Sequence, residues 1–199
     1  MLEIITTPEQ ELSQISDEIQ QLREKAAAIR QKIRTEFVGE YTFTGTFGEK
    51  IRLSELFGGK DELILVHNMG RSCRYCTLWA DGFNGFVKHI ENRAAFVVTS
   101  PDNFEVARQF SMERGWTFRL LSTEGTTFKK DMGFANQKGE PQPGVSIFKK
   151  EKDGSIIHFS KDYFGPGDDY CSIWHIFDLL PPGKDWEPQY HYIQTQHKH

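Results

Sequence analysis

Two cysteines three residues apart, in Cys73-Arg74-Tyr75-Cys76, are the residues of this chain best suited to chemistry. A pair at this spacing can close a small disulfide ring. One sulfur attacks a substrate disulfide and the other resolves the mixed disulfide that forms. The attacking group has to be a thiolate, so its surroundings must favour the anion. Just upstream, Leu63-Ile64-Leu65-Val66 is a short, unalternating aliphatic run of the kind that forms a strand covered on both faces. Downstream, Leu78, Trp79, Phe83, Phe86, Val87 and Ile90 recur at helical steps of three and four. The cysteines therefore fall where a strand gives way to a helix. Unpaired N–H groups and the dipole of a first helical turn stabilise a thiolate there. Cys73 is the expected nucleophile and Cys76 the resolving thiol, with Arg71 and Arg74 adding positive charge nearby.

Size and composition narrow the setting. At 199 residues and 38% hydrophobic, the chain holds one well-buried domain plus an accessory element. A net charge of -4 leaves no basic surplus for phosphate backbones, which argues against nucleic acid as a partner. No run reaches transmembrane length, and Met1-Leu2-Glu3-Ile4-Ile5-Thr6 lacks the basic and apolar regions of a signal peptide. Three cysteines are too few for a disulfide scaffold, and the odd count argues against a fully paired secreted framework. A cytoplasmic home is expected, where a Cys-x-x-Cys is more often redox or metal chemistry than a staple.

The elements that must position the pair follow in order. Thr7-Pro8-Glu9-Gln10 reads as a capped helix start, and Gly39 as the helix end. Between them Leu12, Ile15, Ile19, Leu22, Ala26, Ile29 and Ile33 form a heptad seam. Such a seam lies on its own domain or on a second copy in a homodimer, and the dimer is the expected case. In a parallel pair Glu18 would face Arg23 but Lys25 would face Arg30, so these charges leave the orientation open. Residues 1–39 form this helix, 40–180 the main domain and 181–199 a solvated tail. Within the domain, Tyr41–Phe43 and Lys50–Leu53 read as strands, Ala94–Thr99 as a second buried strand, and Pro101 to Gly115 as a helix. Phe118–Leu121 is a further short strand, Val145–Phe148 and Ile156–Phe159 form a hairpin, and a last helix spans about Asp168 to Leu179. The β-α-β-α order implies parallel strands in a mixed α/β sheet.

This order resembles the thioredoxin-like fold over residues 40 to 180, a central mixed sheet flanked by helices, here with a long N-terminal helix added. Ile64-Leu65-Val66-His67 followed by Cys73 looks like the thioredoxin active-site strand, and Arg74-Tyr75 is similar to the Pro-Tyr of glutaredoxins. Tyr41–Phe43 with Ile51–Phe57 looks like the lead-in of peroxiredoxin-like members. More specifically, His67 to Asn84 (HNMGRSCRYCTLWADGFN), Gly115-Trp116-Thr117-Phe118 and Gly144–Phe148 resemble the bacterial thioredoxin-like domain-of-unknown-function family 899. The resemblance implies a thiol-disulfide oxidoreductase acting on a protein or low-molecular-weight disulfide, with no cofactor. It also implies roles for two more residues. His67 stands where thioredoxins carry the carboxylate that accepts the inner thiol's proton, and imidazole could do that work. Pro143 is the candidate for the fold's cis-proline opposite the cysteines, with Pro141 second. Arg74 should stabilise the thiolate, which makes the couple less reducing than thioredoxin's.

Two rival readings stay open. A thiol peroxidase would use the same nucleophile, although Val66 and Gly70 occupy the slots where peroxiredoxins carry a proline and a Thr or Ser. A redox-inactive zinc or interaction module would complete a zinc site with Cys171 and His175, one helical turn apart. Plain packing of those two with Ile173, Trp174 and Phe177 is the preferred alternative. Trp79 reads as core and Asp81 as a local hydrogen-bonding carboxylate, while His191, His197 and His199 read as solvated rather than metal-bound.

Overall fold

A computed structural model describes residues 7–33, 35–183 and 186–189. The first six residues and the tail histidines 191, 197 and 199 lie outside the described residues. The chain separates into two units, one ending at Thr35 and one beginning at Glu36.

The first unit is helix α1, Pro8–Arg30. Thr7 caps it: its hydroxyl accepts from the Gln10 N–H at 3.3 Å, and the Gln10 side chain accepts from the Thr7 N–H at 2.9 Å. Pro8 fills the first turn, where a missing N–H costs nothing. The helix stops well short of Gly39, because Glu36–Val38, with two residues that favour strands, finds a ladder partner in the second unit instead. None of the residues 8–30 is buried.

The second unit is built on one mixed sheet of eight strands. In chain order it comprises β1 (Glu36–Val38), β2 (Thr42–Gly45), β3 (Lys50–Arg52), β4 (Glu62–His67), α2 (Arg74–Arg93), β5 (Ala95–Ser100), α3 (Phe104–Arg114), β6 (Arg119–Ser122), α4 (Phe128–Asp131), β7 (Gly144–Lys150), β8 (Ile156–Tyr163) and α5 (Ile173–Phe177). The sheet order is β1-β8-β7-β4-β5-β6-β2-β3. β4 lies near the middle, parallel to β5 and antiparallel to β7, and β5 is parallel to β6. Helices joining parallel strands produce the α/β layering that the sequence order implies.

Alternation along β4 divides the core in two. Ile64 and Val66 face α2 and α3, packing with Trp79, Ala80, Val87, Phe96, Val98 and Phe110. Leu63 and Leu65 face the other way, toward Phe43, Phe57, Phe128, Phe134 and Phe148. Each of the fully buried side chains among them contributes roughly 1.5–3 kcal/mol of transfer free energy. Trp79 is core, and its Nε1–H donates to Asp168 at 3.3 Å. At the sheet end that carries the cysteines, β7 begins with Gly144, paired with His67. A Cβ there would fall 2.3 Å from the Phe134 ring and 2.4 Å from the Asp162 carbonyl, so this approach requires glycine.

The last helix is shorter than its sequence pattern predicts, five residues rather than twelve. Asp168 explains the late start. Its carboxylate accepts from the N–H groups of Gly165 and Tyr170, at 3.0 and 2.9 Å, and so closes a loop rather than opening a helix.

Candidate functional site

The loop from Asn68 to Cys73 connects β4 to α2 and is held by its neighbours at nearly every residue. The Asn68 carboxamide accepts from Gly70 N–H at 2.7 Å and donates to the Cys76 carbonyl at 3.3 Å. Asp102, beyond β5, accepts from Arg71 N–H at 2.7 Å. Gly70 takes φ +99°, and a Cβ there would press on the Asp102 carboxylate at 3.0 Å. The loop thus delivers Cys73 as the N-cap of α2, its sulfur accepting from the Cys76 N–H at 3.1 Å. Cys76, one turn in, is buried, and its sulfur accepts from the Met69 N–H at 3.4 Å. All three cysteines are free thiols.

The two sulfurs experience opposite fields. The Cys76 thiol, donating to Cys73, is the largest influence lowering the Cys73 pKa from 9.0 to about 7; burial works against it, and the N–H groups of Cys76 and Tyr75 reinforce it. Burial, followed by the adjacent Cys73 anion, pushes the Cys76 thiol up. One half-buried sulfur that ionises near neutrality therefore sits above a buried one that holds its proton.

Arg74 is placed differently from expectation. Its guanidinium forms an ion pair with Glu187 at 3.0 Å and is not among the groups that lower Cys73. The thiolate is held by a thiol and two amides instead. Glu187 lies in the stretch expected as a solvated tail, where Trp186 packs edge-on against Trp174 and Phe177 and Pro188 is buried. Tyr75 lies between Trp79 and Trp174, so an aromatic wall flanks the cysteine turn.

His67 is fully buried, stacked on Phe134 with centroids 3.8 Å apart, and shares a 2.9 Å hydrogen bond with the Ser146 hydroxyl through Nε2. It shares the strand face of Leu63 and Leu65, whereas Cys76 packs in the cluster of Val66. Burial, then the charge of Lys129, holds its pKa well below the usual value, so the imidazole is neutral. The structure does not bring His67 into a hydrogen bond with either sulfur of the pair. Pro143 stands at the cysteine end of the sheet, one residue before Gly144, and its carbonyl accepts from Phe164 N–H at 3.1 Å. Its peptide bond is trans, as is every peptide bond among the described residues, which corrects the cis expectation. Trans is the ordinary lower-energy state of an X-Pro bond.

A family match covers this whole arrangement. The sequence profile of the bacterial proteins of unknown function DUF899 matches residues 6–199. The chain belongs to the DUF899 family. No curated protein matches it significantly. Among solved structures it is similar to the peroxidoxin BcpB of Mycobacterium tuberculosis, at TM-score 0.51 and 23% identity over 64% of this chain and 83% of that one. It is also similar to a peroxiredoxin-like protein of Aquifex aeolicus, at TM-score 0.50 and 15% identity over 64% and 74%. The second unit of this DUF899 protein is a thioredoxin-like fold.

One residue of the site escaped the sequence reading. Lys129, on the short helix α4, is buried, and its Nζ meets no hydrogen-bond partner among the described residues. Burial lowers its pKa from 10.5 to about 7, while Cys76 and Asp102 pull the other way, so the amine shares an electrostatic environment with the inner thiol. The only local signal was a lysine set between Phe128 and Met132, too common a pattern to single out. The other candidates of this DUF899 chain resolve into packing. Asp81 accepts from Trp116 Nε1 at 2.8 Å and pairs with Arg114, a structural carboxylate. Cys171 is buried in the cluster of Val66, and His175 faces Asp169 and Asp178. No three His, Cys, Asp or Glu side chains gather as metal ligands among the described residues. No helix among them is long and apolar enough to cross a membrane.

Proposed function

We propose that this DUF899 protein is a thiol-disulfide oxidoreductase with Cys73 as nucleophile and Cys76 as resolving thiol. The carrying observation is the asymmetry of the pair: a half-buried sulfur with a pKa of about 7 at a helix N-cap, over a buried sulfur whose pKa is raised. The Cys73 thiolate attacks a substrate disulfide R–S–S–R′, forming a Cys73–S–S–R bond and expelling R′S⁻, which takes a proton from solvent. Cys76 then loses its proton and attacks Cys73, expelling RS⁻ and closing the Cys73–Cys76 disulfide. Two electrons pass to the substrate, and an external dithiol must return them.

The second step needs a proton acceptor inside the protein. Lys129 suits that role better than His67, because a buried amine with a pKa of about 7 is partly neutral at physiological pH and feels the charge of Cys76. His67 stays neutral and anchored on Ser146 and Phe134, on the other face of the strand. Arg74 lines the turn through its ion pair with Glu187, and Pro143 borders the same end of the sheet. The aromatic wall of Tyr75, Trp174 and Trp186 suits a polypeptide disulfide as substrate, and three free thiols suit the reducing cytoplasm.

The test is a thiol count on native protein before and after mild oxidation, with peptide mapping, beside a disulfide reduction assay on insulin. Reversible loss of two thiols at Cys73 and Cys76, with turnover abolished in Cys73→Ser, is expected. Retention of both thiols, or turnover that survives Cys73→Ser, refutes the assignment. Consumption of hydrogen peroxide with a thiol donor but no insulin reduction would favour the peroxidase alternative on the same nucleophile.

A further inference from the structure

Helix α1 poses a problem that its own sequence answers. Leu12, Ile15, Ile19, Leu22 and Ile29 are all exposed, and no residue of the helix is buried. In proteins most of a helix's stability comes from packing its apolar face rather than from propensity. In heptad terms Leu12, Ile19, Ala26 and Ile33 hold the a positions and Ile15, Leu22 and Ile29 the d positions. We infer that α1 pairs with α1 of a second copy of this chain as an antiparallel two-stranded coiled coil.

Charge decides the occupant and the direction. The g positions are Glu11, Glu18, Lys25 and Lys32, and the e positions Glu9, Ser16, Arg23 and Arg30. A parallel pair sets g against e of the partner five residues on. Glu18 then attracts Arg23, Lys25 repels Arg30, and the two cancel. An antiparallel pair that layers Leu12 on Ile29, Ile19 on Leu22 and Ala26 on Ile15 sets g against g and e against e. Glu18 then meets Lys25, Glu11 meets Lys32 in the turn after the helix, and Glu9 meets Arg30. Each attraction is made twice by symmetry, Ser16 faces Arg23, and no like charges face each other. The helix is acidic at its start and basic at its end, which makes it complementary to its own reverse.

Packing agrees with charge. A parallel pair would stack Ala26 on Ala26 and leave a gap in the middle of the seam, whereas the antiparallel pair sets Ile15 against each Ala26. Sequence spacing alone leaves open whether such a seam is covered by its own domain; the acidic start and basic end of α1 are what favour a second copy in reverse.

Sedimentation equilibrium of the full chain tests this. A dimer is expected for the native protein, and a monomer for Ile19→Ser with Leu22→Ser. Lys25→Glu turns two symmetric attractions into repulsions and should weaken dimerisation roughly tenfold. Adding Glu18→Lys to it should restore the native affinity. All four residues are exposed on α1, so the second unit should fold as in the native chain in every variant, while the monomeric double-serine variant should lose the helical signal of α1 in circular dichroism. A monomeric native chain overturns the inference, and so does a dimer that survives Ile19→Ser with Leu22→Ser. Tighter association of Lys25→Glu would also overturn it, because a parallel pair loses its Lys25–Arg30 repulsion in that variant.

Discussion

If a thiol and two amides hold the Cys73 anion, deleting the thiol should matter more than deleting the nearest arginine. At pH 7 a sulfur with a pKa of about 7 is about half thiolate, against about 1% for an unperturbed thiol at 9.0, a gain of roughly fiftyfold. Each thiolate is also less nucleophilic. With a Brønsted slope of 0.4–0.5, two units of acidity cost about tenfold, so Cys73 should react about fivefold faster than an ordinary cysteine at pH 7. Cys76→Ala removes the largest contribution to the lowered pKa while leaving the Cys76 and Tyr75 amides in place. The midpoint of Cys73 alkylation should then rise by about one unit, since two of three favourable contacts remain. Arg74→Ala should move it by less than about 0.3 units, because that guanidinium is paired with Glu187 and is not among the groups that lower Cys73. The assay is the pH dependence of iodoacetamide labelling, read at the Cys73 peptide by mass spectrometry. A native midpoint near 9, or an Arg74→Ala shift as large as that of Cys76→Ala, would refute the assignment of the anion to the helix cap.

Lys129→Met should slow closure of the Cys73–Cys76 disulfide from a trapped mixed disulfide while leaving the Cys73 alkylation midpoint in place. The same variant reports on stability. A buried amine with a pKa of about 7 against 10.5 when exposed binds fewer protons folded than unfolded between those values, so its penalty is full below pH 7 and fades toward pH 10. Lys129→Met should therefore be more stable than the native chain by roughly 2–4 kcal/mol at pH 6, with the difference shrinking as pH rises; a pH-independent difference in urea midpoint would show that the amine is not buried uncharged. His67 and His158 act at lower pH. Both have lowered pKa values, His158 at about 4, so the unfolded chain binds protons that the folded chain refuses, and stability should fall as pH drops below 6.5. Urea midpoints at pH 7, 6 and 5 should decline in the native chain and stay nearly level in His67→Gln with His158→Gln, above the range where carboxylates titrate.

What was legible in the sequence is what acts over one or two turns of chain. The aliphatic run of β4, the Cys-x-x-Cys at a helix start, the Thr7 cap and the Gly115 stop are all local signals, and each has its counterpart in the fold. What was missed depends on partners far along the chain. The charge of Arg74 is plain in the sequence, but its partner Glu187 is 113 positions away, in a stretch that reads as solvated tail. The Gly39 stop failed for the same reason, because the strand that ends the helix early pairs with β8. His67 is an intermediate case. Its strand parity could have been counted, since it shares the odd positions of Leu63 and Leu65 and must face away from Val66, but the slot it occupies in the resembled family drew the inference to the cysteines.

The split is itself informative about how the site works. Ionising Cys73 takes only groups from residues 73 to 76, so it should survive in any chain that keeps this strand-to-helix turn. On the proposed mechanism the proton of Cys76 passes to an amine on α4, which lies in the β6-to-β7 connection, far from the cysteines along the chain. On that mechanism nucleophilic attack is encoded locally and resolution by the fold. A substitution that loosens α4, such as Phe128→Ala behind His67, should let mixed disulfides form at the native rate and then accumulate; equal slowing of both steps would show that the two sulfurs share one support.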